Sequence, residues 1–127
     1  MDLTKLDVKA AAEKGAVLTL THPSTGAELE ATVTVIGRDS PSVKAVMETV
    51  ERRKASGSKI TKEQEGIELL CAVVKGWTGI EFDGKELEYN AENVRKLITD
   101  PRTEWISEQI GPFVLSRRNF AQNLPEG

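Results

Sequence analysis

Two residue types that carry much of protein chemistry are almost missing: the chain has one cysteine and one histidine. One cysteine forms no internal disulfide and no cysteine-based zinc cluster, and one histidine leaves no second imidazole to complete a metal site. Cys71 lies in the apolar run LLCAVV, where a thiol behaves as a small buried hydrophobe. A nucleophilic role would need a base beside it, and His22 falls in the turn-like stretch THPSTG. Long apolar runs are lacking too: no stretch of about twenty apolar residues occurs, so no membrane span is expected. The opening MDLTKLDVKAAAEKG is polar and mixed in charge, without a signal-peptide core, which leaves a cytoplasmic location as the expectation. Excess positive charge is absent as well. The net charge is −3 and the pI about 5.3, which argues against general nucleic-acid binding. Phosphate loops, dinucleotide fingerprints and nucleophile elbows do not appear. No enzymatic activity, metal or cofactor is expected.

What is present is a globular composition, 39% hydrophobic and 29% charged over 127 residues. A chain of that size buries roughly two-thirds of the surface its unfolded form exposes, enough to fold without staples. Residues 1–15 read as an N-terminal arm or short helix. From Val17 to Ile36 the pattern has period two: Leu18 and Leu20 alternate with threonines, and Leu29, Ala31, Val33 and Val35 follow a Pro/Ser/Gly turn. A β-hairpin with one buried face is expected over 16–37.

A helical domain of about four helices follows over 38–120. Ser40 is placed to cap a helix that begins at Pro41 and carries the stripe Val43, Val46, Met47, Val50. Thr61 and Gln64 have the spacing of a capping box. The helix they open has the stripe Ile67, Leu70, Cys71, Val74, with Leu69 and Val73 on the opposite flank. Such a helix is either central in its domain or covered on its second face by another chain. Gly76 is expected to stop it. Ile80, Phe82, Leu87 and Tyr89 face one way across an Asp83-Gly84 turn, giving a second short hairpin over 78–89. Asn90 is expected to cap a helix carrying Val94, Leu97 and Ile98. A last helix over Arg102 to Arg117 has the stripe Ile106, Ile110, Phe113, Val114, with Gly111-Pro112 predicting a kink or break. Residues 121–127 read as a flexible tail. The fold class is α+β.

The hairpin carboxylates Glu81, Asp83, Glu86 and Glu88 are the nearest approach to an acid/base cluster, but alternation places them on a solvated face without apolar neighbours to raise a pKa. The run from Arg52 to Lys59, with Lys62 beyond it, is positive without an acid, as a solvated linker would be. Trp77 is suited to pin a helix end to the hairpin. Trp105, at ~100° per residue, lies roughly 120° from the centre of its helix's apolar stripe. An off-stripe tryptophan meets either a second core element or a partner.

In order, GRDSPSVKAVMETVERRK, then an apolar helix running into VVKGWTGIEFDGKELEYNAENVRKLITDP, then a helix ending FVLSRRNF resemble the tail assembly chaperones of long-tailed bacteriophages. The likeness extends from Val17 to Phe120 and is most specific at Gly76-Trp77, Asp83 to Leu87 and Asn90 to Leu97; Gly111-Pro112 departs from it. The resemblance implies a non-enzymatic protein that binds the tape measure protein, keeps it soluble and helps recruit tail tube protein. Leu69, Val73, Trp105 and Phe113 are the side chains expected to contribute to that surface, and self-association is left open. Two alternatives stand beside it: a structural subunit of the tail or head–tail connector, and a small regulatory protein using the Arg52–Lys62 patch on nucleic acid.

Overall fold

The structure is a computed structural model that describes residues 1–125. It is α+β, with an N-terminal antiparallel hairpin and a second short hairpin among helices. A 3₁₀ turn, Leu3–Lys5, leads into helix α1, Val8–Lys14, whose N-cap Asp7 accepts from the backbone N–H groups of Lys9 and Ala10. Ala11 and Ala12 are buried, so the opening segment includes a docked helix.

Strands β1, Ala16–Thr21, and β2, Glu28–Val35, pair with Leu18 opposite Val33 and Ala16 opposite Val35. His22 does local work in their turn: its Nδ1 accepts from the N–H groups of Ser24 and Thr25. Ser40 caps helix α2, Pro41–Ala55, accepting from the N–H of Ser42. Its hydroxyl and that of Ser42 both donate to the carboxylate of Glu13. That places a negative charge at the positive end of α2 and joins α1 to it. Helix α3, Lys62–Val73, starts with the reciprocal Thr61–Gln64 capping box.

Here the structure departs from the sequence pattern. Gly76 does not stop α3. The helix ends at Val73, and the chain continues directly into strand β3, Val74–Thr78, antiparallel to β2 with Gly76 opposite Thr34. β-branched Val74 pairs with Val35 on the open edge of β2, and this pairing overrides the helical stripe that ran on to Val74. The hairpin is therefore part of a three-stranded sheet in the order β1-β2-β3.

Strands β4, Glu81–Phe82, and β5, Lys85–Glu86, meet at Asp83-Gly84, where both residues have positive φ, 53° and 81°. That is the backbone a two-residue hairpin turn of matching twist requires. Asn90 caps helix α4, Ala91–Thr99, accepting from the N–H of Asn93. Helix α5 spans Trp105–Leu115 and runs unbroken through Gly111-Pro112. Pro112 lies in the last turn and is exposed, so its ring removes only the bond to Glu108, and the expected break does not form. Arg102 to Glu104 form turns ahead of the helix.

A 3₁₀ helix, Arg117–Asn123, packs beside α1, with Phe120 buried and the Asn123 amide donating to the carbonyls of Ala11 and Gly15. The flexible tail expected from residue 121 is thus ordered structure through Asn123; residues 126–127 of it lie outside the described residues. The core joins the sheet to α3, α4 and α5, and Val33, Val35, Val73 and Ile110 have no exposed surface.

Two predictions follow from this packing. Gly79 has φ +70°, and an added Cβ would stand 2.5 Å from the carbonyl oxygen of Glu30, whereas Gly84 at φ +81° has open space around it. Gly84→Ala is expected to cost about 1 kcal/mol from the left-handed backbone alone. Gly79→Ala adds the collision with Glu30 and should exceed about 2 kcal/mol, measured by urea unfolding. Ser40→Ala should cost about 1–2 kcal/mol at neutral pH through the lost cap. The Ser40 hydroxyl, then that of Ser42, holds the Glu13 carboxyl below its ordinary value. This contribution is complete above the ordinary glutamate range and drains as pH falls through the lowered value. The gap between wild type and Ser40→Ala should therefore narrow as the solution is acidified, leaving the part due to the cap itself.

Candidate functional site

The acidic hairpin is tied down locally rather than arranged around a ligand. Glu81 stands opposite Glu86, and Glu81, Asp83, Glu86 and Glu88 are all exposed. Asp83 accepts from Arg102 at 2.7 Å, and Arg102 also reaches Asp100 at 3.1 Å. The Phe82 ring lies beneath both Arg102 and Lys96, at 4.8 and 4.6 Å. These contacts hold the hairpin tip to α4 and to the turn before α5. On the other side of the sheet edge, Trp77 Nε1 donates to the carbonyl of Leu87 at 2.7 Å and meets Tyr89 edge-to-face, while the Tyr89 hydroxyl donates to the Val74 carbonyl. Trp77 therefore pins β3 to the segment that leaves the second hairpin.

The four side chains singled out for partner binding divide. Val73 is fully buried and belongs to no surface. Its place on the opposite flank was a wheel reading of a helix followed alone; with the chain turning into β3, Val73 belongs to the core cluster and its carbonyl accepts from the N–H of Ile36. Leu69, Trp105 and Phe113 are half-buried at the rim of the core. Phe113 is engaged edge-to-face with Phe120, 6.0 Å between centroids, and so supports the C-terminal 3₁₀ helix. Leu69 on α3 and Trp105 at the first turn of α5 remain, on helices that pack against each other. Of the four structural positions on helix ends, Ser40, Thr61 and Asn90 cap as expected, and Gly76 is a strand residue.

The structure also assembles a cleft of about 240 Å³ between the end of α2, the 56–61 loop, α3 and α4, lined by Arg53, Lys59, Ile60, Ile67, Glu68 and Arg95. Ile60 and Ile67 are half-exposed. Arg95 donates to Glu68 at 2.8 Å across the helix pair. Sequence reasoning placed Ile67 on the core stripe and treated the basic run as a linker. Arg95 comes from a different helix, so no local spacing could have joined it to that run. Lys54 turns inward instead, pairing with Glu65 and binding α2 to α3.

With the fold and these surfaces in view, comparison with known proteins adds one finding. The family model described as YdaY prophage protein matches residues 40–122, well over half of the chain, from the cap of α2 through most of the C-terminal 3₁₀ helix. The chain belongs to this family and is a prophage protein. No curated protein and no solved structure matches it. Among the described residues, no helix is long and apolar enough to cross a membrane.

The lone thiol has a measurable property. Burial pushes the Cys71 thiol up from its ordinary value, partly offset by Arg95 nearby, so less thiolate is present at any given pH. Alkylation by iodoacetamide at mildly alkaline pH should run slower than for a free cysteine and reach the free rate in urea.

Proposed function

We propose that this prophage protein is a non-catalytic assembly chaperone of the phage tail: it binds the tape measure protein, keeps that chain soluble before the tube encloses it, and assists recruitment of tail tube protein. The resemblance to tail assembly chaperones names the partners. The observation that carries the reading is the pair Leu69 and Trp105, large apolar side chains left half-open at the rim of the core on two packed helices. Covering the apolar stripes of a helical partner prevents association among partner chains, and a rim of this kind suits docking of amphipathic helices. The displaced ionisations have local structural causes: Glu13 is held ionised by the Ser40 and Ser42 hydroxyls, Asp39 by Arg117 and Asp100 by Arg102, and burial favours the thiol at Cys71.

The test is co-expression with the tape measure protein of the same prophage. Wild type should keep it in the soluble fraction and co-purify with it. Leu69→Gln and Trp105→Gln should each weaken retention about tenfold or more, in the range of an interface anchor, while thermal melts report how much of that loss is folding. Full retention by both variants, or aggregation of the tape measure despite wild type, overturns the reading. Electron microscopy and mass spectrometry of finished particles should find the chain absent; a fixed copy number there would instead make it a structural subunit.

A further inference from the structure

The cleft between α2, the 56–61 loop, α3 and α4 lies apart from the Leu69–Trp105 rim. Around α3, at ~100° per residue, Ile67 and Leu69 are roughly 160° apart. The chain as a whole is acidic, with 20 acidic against 17 basic residues, yet this cleft inverts the sign. Among the described residues, neither Arg53 nor Lys59 lies within ion-pairing distance of a carboxylate, while Lys54 beside them is committed to Glu51 and Glu65. Arg95 is the third cation of the cleft, paired with Glu68 and still half-exposed. The two isoleucines between them stand outside the core cluster. Uncompensated cations in a concave surface raise the local potential.

We propose that this cleft docks an acidic, amphipathic segment of a partner protein, with aliphatic side chains on Ile60 and Ile67 and carboxylates against Arg53, Lys59 and Arg95. The inference rests on the protein-binding reading above and adds the chemistry of the segment. Charge calls for an anion, and the rest of the lining selects among anions. A nucleic acid would find no aromatic side chain in this cleft on which to stack a base. Ile60 and Ile67 would contribute nothing to a phosphate, whereas they complement the apolar face of a polypeptide. The carboxylate-rich hairpin of a second copy is the poorer fit: it has Ile80, Phe82 and Leu87 buried and Asp83 held by Arg102, leaving little aliphatic surface to offer.

The experiment uses the full chain and fluorescence anisotropy with a labelled helical peptide carrying a Leu/Ile stripe flanked by glutamates. Its controls are the same peptide with every glutamate replaced by lysine, and labelled single- and double-stranded DNA. The glutamate peptide should bind about tenfold or more tighter than the lysine peptide and weaken with added salt. Arg53→Glu combined with Lys59→Glu, both exposed side chains, should lose at least about tenfold with the melting curve unchanged. Ile60→Ser should weaken binding at constant salt dependence, and as a loop substitution it leaves the helices intact. Equal affinity for the two peptides, indifference to the charge reversal, or preference for DNA overturns the proposal. If the tape measure protein is retained while the acidic peptide fails to bind, the chaperone reading stands and the cleft's role falls; peptide binding without tape measure retention gives the reverse.

Discussion

The N–H of Ile36 donates to the carbonyl of Val73 at 2.9 Å, at the point where α3 becomes β3 with no intervening loop. Val73 and Val74, consecutive in sequence, are both buried, one as the last residue of a helix and the other as the first of a strand. This junction makes β2 a central strand and fixes the distance of α3 from the sheet. The helices that pack on α3, namely α2, α4 and α5, are positioned through it. Val33 and Val35 have no exposure because β3 covers the edge that a lone hairpin would leave open.

The same junction marks the limit of what local pattern reveals. The first hairpin was legible because threonines and aliphatics alternate strictly on both sides of a turn, and the caps at Ser40, Thr61 and Asn90 were legible because a side-chain oxygen two or three residues ahead of a backbone N–H is a local arrangement. The second hairpin was legible through Asp83-Gly84. Strand β3 was not: VVKGWT has the β-branched residues of a strand, but it continues a helical stripe and carries a glycine where a helix would end. Only the open edge of β2, some forty residues earlier, decides between them, and sequence spacing does not record it. Pro112 misled for a related reason. Its effect depends on where the helix ends, and in the last turn one missing bond is nearly neutral. Leu69 and Trp105 lie off their stripes on a wheel and are half-buried in the structure, whereas Val73, on the same flank as Leu69, is fully buried at the junction with β3.

A helix apolar nearly all round poses the question of what covers each side, and α3 answers it unevenly. One flank, at Val73, is sealed within the protein's own core. Leu69, Leu70 and Cys71 pack against the core and keep part of their surface in water, and Ile67 opens into the basic cleft. The ion pairs Lys54–Glu65 and Arg95–Glu68 hold α2 and α4 to this helix at its polar positions. They define the walls of the cleft without filling it, and exposed pairs of this kind contribute little stability by themselves. Their consequence is geometric: three helices are kept in register around two isoleucines.

Two separate apolar openings on one rigid helix bear on how such a protein would hold and release a client. A single deep pocket yields long residence, since affinity within one interface varies mainly through the dissociation rate. Two shallow openings roughly on opposite sides of α3, if both take the client as proposed above, would bind weakly one at a time and more tightly together, because the second contact would form at the high local concentration set by the first. Occupancy then depends on the client presenting both segments at once. On the chaperone reading proposed above, tail subunits competing for one of them would leave a contact weak enough to let go, so that release would need neither a bond-breaking step nor a change of fold in the chain that held it.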